Sequence, residues 1–304
     1  MNVRKNEIWL FIINPVAGNK RDIDIQQLIT DYFKNEPVDI HFLETKGTSD
    51  RERIANRLSE ISPDFAVAVG GDGTVNLLAS DLLNQNIPLG IVPTGSANGM
   101  ATELGIPKNI ERALDILSER KLKTIDLLQI NDKYLAVHLC DLGMNARIIR
   151  RFEQKSIRGF YGYARQFFRE LNKPSKFSCI IRYPDQADMQ YQAVMVVILN
   201  THVYGTGAVI NPQGKINDGK FEVVVIKPYR WYFIFRLLIA FFSKNIQKVK
   251  KVDIHSCQAV TIDLIPGQEM QVDGEHQGNL TSIKAEVLHD SLTVIYNQGK
   301  EAGA

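Results

Sequence analysis

Cysteine is scarce in this chain, and its scarcity excludes two kinds of protein. Only three cysteines occur among the 304 residues, at Cys140, Cys179 and Cys257. Three thiols cannot form the disulfide framework of a small secreted domain, and their spacing is not that of a metal site. The sequence therefore predicts buried free thiols in a reducing compartment.

Long hydrophobic runs and a strong net charge are missing as well. The formal net charge is +2, so the composition does not require nucleic acid, and we expect no nucleic-acid partner. The first apolar run, Ile8–Ile13, is too short for the core of a signal peptide. We therefore expect a cytoplasmic protein.

What the sequence does contain is a change in the pattern of predicted secondary structure near residue 124. Before it, apolar segments alternate with helical patterns, which is typical of a parallel sheet covered on both faces. The predicted strands are Ile8–Ile13, Asp39–Glu44, Phe65–Val69 and Leu89–Val92. The predicted helices are Ile23–Asn35, Ser49–Ile61, Thr74–Asn84, Ser96–Leu104 and Ile110–Leu117. The pattern predicts a doubly wound α/β domain over residues 1–126.

Short alternating strands dominate the remainder of the chain. They are predicted at Ile125–Ile130, Tyr134–Cys140, Phe177–Tyr183, Tyr191–Leu199, Lys220–Ile226, Lys251–Ser256, Gln258–Ile262, Met270–Val272 and Ile283–Val287. Turn signals such as Pro266-Gly267 separate them, and helical patterns near residues 159–171 and 231–242 interrupt them. This favours an antiparallel β-sandwich or barrel over residues 127–289. Whether the last strand, near residues 290–298, rejoins the first domain is left open.

A glycine-rich turn follows the third predicted strand and precedes a helical pattern. Its sequence is Gly70-Gly71-Asp72-Gly73-Thr74. Glycines let a backbone approach a ligand closely, and N–H groups at the start of a helix can bind phosphate. The carboxylate of Asp72 favours a divalent metal beside such phosphates. A tight turn without chemistry is the alternative interpretation.

Loops of similar character follow the other three strands of this domain. They are residues 14–20, 45–48 and 93–99. Ligands of doubly wound sheets bind at the carboxyl ends of the strands. Four small, polar or glycine-containing loops at that edge therefore predict a ligand site.

Five motifs, in this order along the chain, resemble one family. They are Asn14-Pro15 with Gly18 and Lys20, residues 70–76, residues 93–98 with Leu104-Gly105-Ile106-Pro107, Asn217-Asp218-Gly219, and Asp273-Gly274-Glu275. The set is similar to the bacterial diacylglycerol kinase-like lipid kinases, which also include sphingosine and ceramide kinases. The resemblance implies a nucleotide-binding α/β domain, a β-sandwich domain for the lipid, and a cleft between them. There, ATP would phosphorylate a hydroxyl of a membrane lipid.

ATP and Mg²⁺ are the cofactors that the resemblance implies. The residues matched to nucleotide binding are Asn14, Pro15, Gly18, Lys20, Thr45, Gly70, Gly71, Gly73, Thr74, Asn76, Gly95, Ser96, Asn98 and Gly274. The sequence has no P-loop motif with its phosphate-binding lysine. Phosphate binding is therefore expected from the glycine-rich turn.

The family pattern assigns catalysis to two carboxylates. Glu275 would act as the general base for the acceptor hydroxyl, and Asp72 would face it across the cleft. A plain hairpin turn is the alternative interpretation of residues 272–275. The pattern gives no role to His276, the next residue.

A structural Mg²⁺ is implied at the predicted turn over residues 217–219. Asp218 would contribute its side chain, and Lys215 and Lys220 would contribute main-chain carbonyls. A turn without a metal is the alternative.

One departure from the family pattern leaves the acceptor open. Diacylglycerol-type enzymes usually carry an acidic residue after the Asn of the fourth loop, whereas Gly99 follows Asn98 here. The acceptor is therefore either a diacylglycerol-like or a sphingoid-like lipid. A NAD kinase-like enzyme, which shares the glycine-rich turn, and a non-catalytic nucleotide- or lipid-binding regulator are the alternatives.

Two segments suggest contact with a membrane. Residues 147–176 are rich in Lys and Arg, and residues 231–242 are apolar except for Arg236. As a helix, the apolar run would span about 18 Å, well short of the ~30 Å bilayer core. We therefore expect peripheral contact with the anionic inner face of the membrane. The alternative is a helix packed on the sandwich, and a homodimer is also left open.

Overall fold

Two units make up the chain: Met1–Ile125 with Asp290–Ala304, and Asp126–His289. The computed structural model describes residues 6–17, 24–83, 85–147, 175–184, 186–204, 208–209, 214–230, 233 and 249–299. The helices predicted near residues 159–171 and 231–242 lie outside these ranges, apart from Phe233. Within these ranges, no helix is long and apolar enough to cross a lipid bilayer.

The first unit is a parallel sheet with helices packed on it, as the sequence predicts. Its strands are β1 (Glu7–Ile13), β2 (Val38–Glu44), β3 (Phe65–Gly70) and β4 (Leu89–Pro93). Its helices are α1 (Ile25–Tyr32), α2 (Asp50–Ile61), α3 (Asp72–Leu82), α4 (Gly99–Glu103) and α5 (Ile110–Glu119). The strand order is β4-β3-β1-β2, and each pair in it is parallel.

Apolar side chains hold this sheet together. Every residue of β3 is buried, as expected for a strand covered on both faces. The indole ring of Trp9 in β1 lies 4.6 Å from the ring of Phe65 and 5.4 Å from that of Phe33, measured between centroids. Because Phe33 directly follows α1, this aromatic cluster ties that helix to the sheet.

Four helices begin at residues other than those predicted: α1 at Ile25 rather than Ile23, α2 at Asp50 rather than Ser49, and α3 and α4 at the glycine loops. Helix α3 begins at Asp72 rather than Thr74, because Gly71 in extended conformation serves as its N-cap. Helix α4 begins at Gly99 rather than Ser96, because Asn98 has a φ of 55°. That left-handed conformation is incompatible with a helix interior.

The second unit is made of antiparallel strands. They are the end of β5 (Leu122–Ile130), β6 (Tyr134–Ala136), β7 (Leu139–Gly143), β8 (Phe177–Arg182), β9 (Met189–Ala193), β10 (Met195–Leu199), β11 (Val203–Tyr204), β12 (Ala208–Val209), β13 (Phe221–Ile226), β14 (Val252–Cys257), β15 (Ala259–Val272) and most of β16 (Glu275–Ile295). The main order is β14-β13-β10-β7-β15-β16. Strand β8 pairs with β15 and β9, and β5 pairs with β6.

The three cysteines belong to this second unit and are buried and free, as predicted. Burial raises the pKa of Cys179 to about 11 and that of Cys257 to about 12. Burial also raises the pKa of Cys140 well above its ordinary value. Because the thiolate is the reactive form, these residues act as core side chains.

Two details of the predicted strands are wrong for identifiable reasons. The predicted strand over residues 134–140 is interrupted at Val137 and His138, because both N–H groups donate to the carboxylate of Asp273. The predicted turn at Pro266-Gly267 does not reverse the chain. These residues lie inside β15, at a register shift against β16 that accommodates the extra chain length.

The last strand returns to the first unit. Strand β16 continues to Ile295, and Val294 pairs in parallel with Leu89 of β4. Both of these residues belong to the first unit, so the chain crosses from unit to unit twice.

Candidate functional site

The carboxyl ends of the four parallel strands carry the loops that the sequence singles out. The turn after β3 lies between two of them: the Asn14 N–H donates to the carbonyl of Val69 (2.9 Å), and the Thr94 N–H donates to that of Gly70 (2.9 Å). Thr45, after β2, donates its N–H to the last carbonyl of β1 (2.8 Å). The four loops therefore share one edge of the sheet.

Glycines from two of these loops are in backbone contact. A Cβ atom on Gly95 would lie 2.5 Å from the Cα of Gly71 and 2.8 Å from Oδ1 of Asn98. A Cβ atom on Gly70 would lie 2.2 Å from Oγ1 of Thr74. No side chain fits at such distances, so this part of the edge is built from backbone, the kind of surface that a phosphate group approaches closely.

Helix α3 begins at this backbone surface. Its N-cap, Gly71, makes no side-chain bond to the first turn. Thr74 is buried, and its Oγ1 accepts a hydrogen bond from Nδ2 of Asn14 (3.3 Å). Asn14 in turn accepts from the N–H of Val16 (3.1 Å). An uncapped helix start with its positive dipole end is favourable for an anion.

Asp72 and Asn98 connect this turn to α4. The half-buried Asp72 accepts a hydrogen bond from the N–H of Met100 (3.2 Å), directly after Gly99. Asn98 donates its Nδ2 to the carbonyl of Gly95 (2.7 Å). Its Oδ1 is buried and has no hydrogen-bond partner among the described residues. A buried acceptor without a donor is a place where a ligand hydroxyl or water fits.

The Thr45 loop is fixed by a residue that the sequence analysis missed. Asp50, at the start of α2, accepts hydrogen bonds from the N–H groups of Lys46 (2.9 Å) and Gly47 (2.7 Å) and pairs with Arg53 (2.8 Å). Burial acts to raise the pKa of Asp50, but these bonds outweigh burial and hold the pKa below its ordinary value. An Asp in the first turn of a predicted helix was the available signal.

The other predicted nucleotide residues of this unit lie at the same edge or outside the described ranges. Pro15, Gly73 and Ser96 are exposed, and Asn76 is half-buried in α3. The Nζ of Lys108 donates to the carbonyl of Ser96 (3.2 Å) and adds a positive charge. Gly18 and Lys20 lie outside the described residues.

The Asp273-Gly274-Glu275 segment is a hairpin turn between β15 and β16. Asp273 and Gly274 both have positive φ, at 47° and 92°. The Asp273 carboxylate accepts hydrogen bonds from three consecutive N–H groups, those of Val137 (2.7 Å), His138 (3.0 Å) and Leu139 (2.8 Å). Glu275 and Gly274 are exposed. Asp273 therefore anchors a turn that presents Glu275 to solvent.

Four polar residues surround this turn, and three of them were not expected from the sequence: Asp141, Glu269 and Gln271. The N–H of Gly274 donates to Oε1 of Gln271 (2.6 Å), and Nε2 of Gln271 donates to Asp141 (2.5 Å). Nε2 of His276 lies 2.5 Å from a carboxylate oxygen of Glu269. The signal in the sequence was Asp141 itself, a charged residue inside an apolar strand.

The predicted metal turn is ordered by protein groups. Asp218 is exposed and accepts a hydrogen bond from the N–H of Lys220 (3.1 Å). Asp126, which the sequence analysis missed, is fully buried and accepts from the N–H of Gly219 (2.7 Å) and contacts Nδ1 of His289 (2.8 Å). Lys215, like Lys220, has an exposed side chain. Metal binding at this turn stays a prediction.

Two family models match consecutive parts of the chain. The diacylglycerol kinase catalytic domain matches residues 8–130, and the YegS C-terminal NAD kinase β-sandwich-like domain matches residues 139–296. A relative from Yersinia enterocolitica, named "Probable lipid kinase YegS-like", is 32% identical over 222 residues, which cover 70% of this chain and 73% of the relative. The chain belongs to the diacylglycerol kinase-like family of lipid kinases.

Solved structures support the fold of this family. A diacylglycerol kinase from Bacillus anthracis has a TM-score of 0.76 at 23% identity and covers 97% of this chain and 98% of its own. A NAD kinase from Archaeoglobus fulgidus, solved in complex with ATP, has a TM-score of 0.54 at 13% identity, covering 96% and 95%. At these identities the likeness concerns the fold alone. The predicted fold class, an α/β domain of the diacylglycerol and NAD kinase type followed by a β-sandwich domain, is confirmed.

Proposed function

We propose that this lipid kinase transfers the γ-phosphate of ATP to a hydroxyl of a membrane lipid, with Mg²⁺ as cofactor. The observation that carries the proposal is the backbone contact between Gly71 and Gly95 at the start of α3. Such a side-chain-free surface beside a helix N-terminus suits phosphate groups. Membership of the lipid kinase family supports this choice over other phosphate ligands.

ATP fits the loops of the first unit. The first-turn N–H groups of α3 and the hydroxyl of Thr74 would bind its phosphates, with Asn14 holding that hydroxyl in place. The buried Oδ1 of Asn98, which has no partner within the described ranges, would accept from a ribose hydroxyl or a water bound with the nucleotide. These groups donate and accept in fixed directions, so they position the nucleotide without moving.

Asp72 is the residue that would hold Mg²⁺ in this site. Carboxylate oxygens are the ligands that Mg²⁺ prefers. The bond from the Met100 N–H occupies Oδ1 of Asp72, which leaves the other oxygen for a cation. When bound, the cation offsets negative charge on the phosphates during transfer.

Glu275 would act as the general base. Its carboxylate would take the proton of the acceptor hydroxyl as the lipid oxygen forms a bond to the γ-phosphorus. The bond between the γ-phosphorus and the bridging oxygen breaks at the same time, and ADP leaves. Exposure of Glu275 on an anchored turn supports this role.

The acceptor we propose is a diacylglycerol-like or sphingoid-like lipid at an anionic membrane surface. The basic segment 147–176 and the apolar segment 231–242 support peripheral binding. Co-sedimentation with anionic vesicles should then weaken as salt rises, since screening reduces the attraction. Unchanged binding at high salt, or none at low salt, would argue against this surface.

A single assay tests the proposed reaction. The full-length protein is incubated with γ-labelled ATP and Mg²⁺ in mixed micelles that hold diacylglycerol or sphingosine, and in parallel with NAD⁺. We expect label in one lipid product and none on NAD⁺. Label on NAD⁺ would favour the NAD kinase alternative. Bound ATP without any transfer would favour a non-catalytic regulator.

A further inference from the structure

Two buried polar side chains underlie the turn that carries Glu275. Asp141 in β7 and Gln271 in β15 are directly opposite each other in an antiparallel pair, and they are 0% and 1% exposed. Their neighbours along the two strands, Cys140, Leu142, Met270 and Val272, are buried and apolar and point to the opposite face of the sheet. The face that carries Asp141 and Gln271 also carries Glu269, two residues before Gln271, and His276, which is paired with Gln271 in β16. A carboxylate and an amide at such positions cost desolvation free energy that an apolar pair would avoid. Their polarity therefore needs a reason.

The hydrogen bonds of Gln271 point to the turn. Its Oε1 accepts from the N–H of Gly274 (2.6 Å), and its Nε2 donates to Oδ2 of Asp141 (2.5 Å). The same carboxylate oxygen accepts from Nδ2 of Asn145 (2.7 Å). A backbone N–H can only donate and a carboxylate can only accept, so a single orientation of the amide satisfies both partners.

The same turn has its second anchor in the carboxylate of Asp273. This group accepts three N–H bonds, from the two residues before β7 and from Leu139, the first residue of β7. Asp273 thus fixes the first residue of the turn, and Gln271 fixes Gly274. Gly274 has a φ of 92°, and a glycine backbone can adopt many other conformations. The bond to Gln271 therefore restrains the residue that directly precedes Glu275.

We propose that Gln271 and Asp141 are positioning residues for Glu275: the carboxylate of Asp141 orients the Gln271 amide, which holds the backbone at Gly274. The assignment rests on the proposed role of Glu275 as the general base. A base acts only within hydrogen-bond reach of its proton, and a displacement of about 1 Å can cost on the order of 10²-fold in rate. This function explains why a carboxylate and an amide are fully buried beneath the turn.

Gln271→Glu tests whether the side chain at position 271 must donate to Asp141 while it accepts from Gly274. Protonated, the new carboxyl can still donate to Asp141 and accept from Gly274. Deprotonated, it repels Asp141, which bonds position 271. Glu269 and Asp273, two residues away on the same side of the chain, add to the repulsion, while His276, paired with position 271 in β16, is already in contact with Glu269. The ratio of variant to wild-type kcat should therefore be highest at acid pH and fall as pH rises, to about one tenth or less. KM for ATP should not change.

The double variant Gln271→Glu with Asp141→Asn supplies the rescue. The carboxylate at position 271 then accepts from both Gly274 and the new amide of residue 141, whose oxygen still accepts from Asn145. We expect the ratio of kcat values to rise again and to lose its dependence on pH. A double variant as impaired as the single one would overturn the proposal.

Gln129→Glu is the matched control. Gln129 lies in β5 of the same unit and donates to the carbonyl of Tyr134 in the neighbouring strand (3.4 Å). The same substitution there should leave the kcat ratio flat across pH. An equal, pH-dependent loss in this control would mean that any new strand carboxylate has this effect, and the proposal would fail.

Amide hydrogen exchange of the peptide that contains residues 272–276 measures the restraint on the turn without relying on catalysis. Gln271→Glu should speed exchange there at neutral pH, and the double variant should restore protection. If wild type transfers no phosphate to lipid, the proposed function fails while the exchange data still decide the restraint. If wild type is active and exchange and kcat are both unchanged by Gln271→Glu, the restraint fails alone.

Discussion

The glycine-containing turn of the first unit and that of the second unit are stabilised in opposite ways. In the first unit, the turn from β3 into α3, at residues 70–74, has a backbone surface where Gly71 and Gly95 pack against each other and leave no room for a side chain. In the second unit, residues 273–275 form a turn held by side chains, the carboxylate of Asp273 and the amide of Gln271. The first turn suits a ligand that binds to N–H groups. The second turn suits a side chain, here Glu275, whose position must be fixed.

The difference has an energetic consequence. A backbone surface is damaged by adding atoms, because a new Cβ has nowhere to go. A turn held by side chains is damaged by removing or replacing a hydrogen-bonding group, because buried N–H groups then lose their acceptor. Substitutions can therefore distinguish the two turns.

Glu275→Gln is expected to have the largest effect. The amide keeps the shape of the side chain but cannot take a proton, so kcat should fall by at least ~10²-fold, the usual contribution of a general base. ATP binding should persist, since the proposed nucleotide site lies in the first unit. Steady-state kinetics and a nucleotide-binding assay measure the two quantities.

The control for that variant is Glu286→Gln, which removes another carboxylate from β16. It should retain wild-type kcat. Near-wild-type turnover in Glu275→Gln would mean that Glu275 is not the general base and that the second turn is a plain hairpin.

Gly95→Ala should damage the first turn by addition. Its Cβ would lie 2.5 Å from the Cα of Gly71, and relief of such a clash typically costs about 1–3 kcal/mol. Because the backbone must move where phosphates are proposed to bind, Kd for ATP should rise. Isothermal titration with Mg²⁺·ATP measures the change.

Gly299→Ala is a matched control in the same unit, because its Cβ would meet only Oδ1 of Asn297, at 3.6 Å. It should leave Kd unchanged. Equal affinity in Gly95→Ala and wild type would show that the glycine contact serves packing rather than nucleotide binding.

Asp273→Asn should weaken the second turn by replacement. Asn tolerates the positive φ of 47°, but its NH₂ group cannot accept all three N–H bonds. Leaving a buried donor unsatisfied costs about 1–3 kcal/mol, so the midpoint of urea unfolding should fall. Asp132→Asn, at another turn residue with positive φ (53°), should not lower it, and equal effects would contradict the anchoring role.

The sequence was sufficient for the parallel sheet, the family and the first turn, because each depends on contiguous residues. The strand before Gly70 and the helix after it are visible as local patterns, and the loops at one sheet edge follow from parallel connectivity. The start of α4 was misplaced only because the left-handed conformation of Asn98 has no separate signal in the sequence.

The anchors of the second turn could not be predicted in this way. Asp273 bonds to residues 134 to 136 positions away, and Gln271 to one 130 positions away. Such contacts depend on the strand register between β7 and β15, which a single sequence does not reveal. The Asp273-Gly274-Glu275 motif marks the turn, but the residues that restrain it emerge only from the three-dimensional pairing.

Asp50→Asn should have the smallest effect, and it tests whether a side chain also stabilises a loop of the first unit. The N–H bonds from Lys46 and Gly47 outweigh burial and keep the pKa of Asp50 below its ordinary value. A carboxyl with a depressed pKa stabilises the folded state above its unfolded pKa of about 3.9, and this contribution is lost as pH falls through the folded value. The variant should therefore be about 1 kcal/mol less stable at pH 7 and equal to wild type at strongly acid pH. Glu52→Gln, which removes an exposed charge from the same first turn, should show a smaller difference, and urea unfolding across pH measures both. A loss in Asp50→Asn that persists unchanged at acid pH would mean that shape, not charge, holds the Thr45 loop.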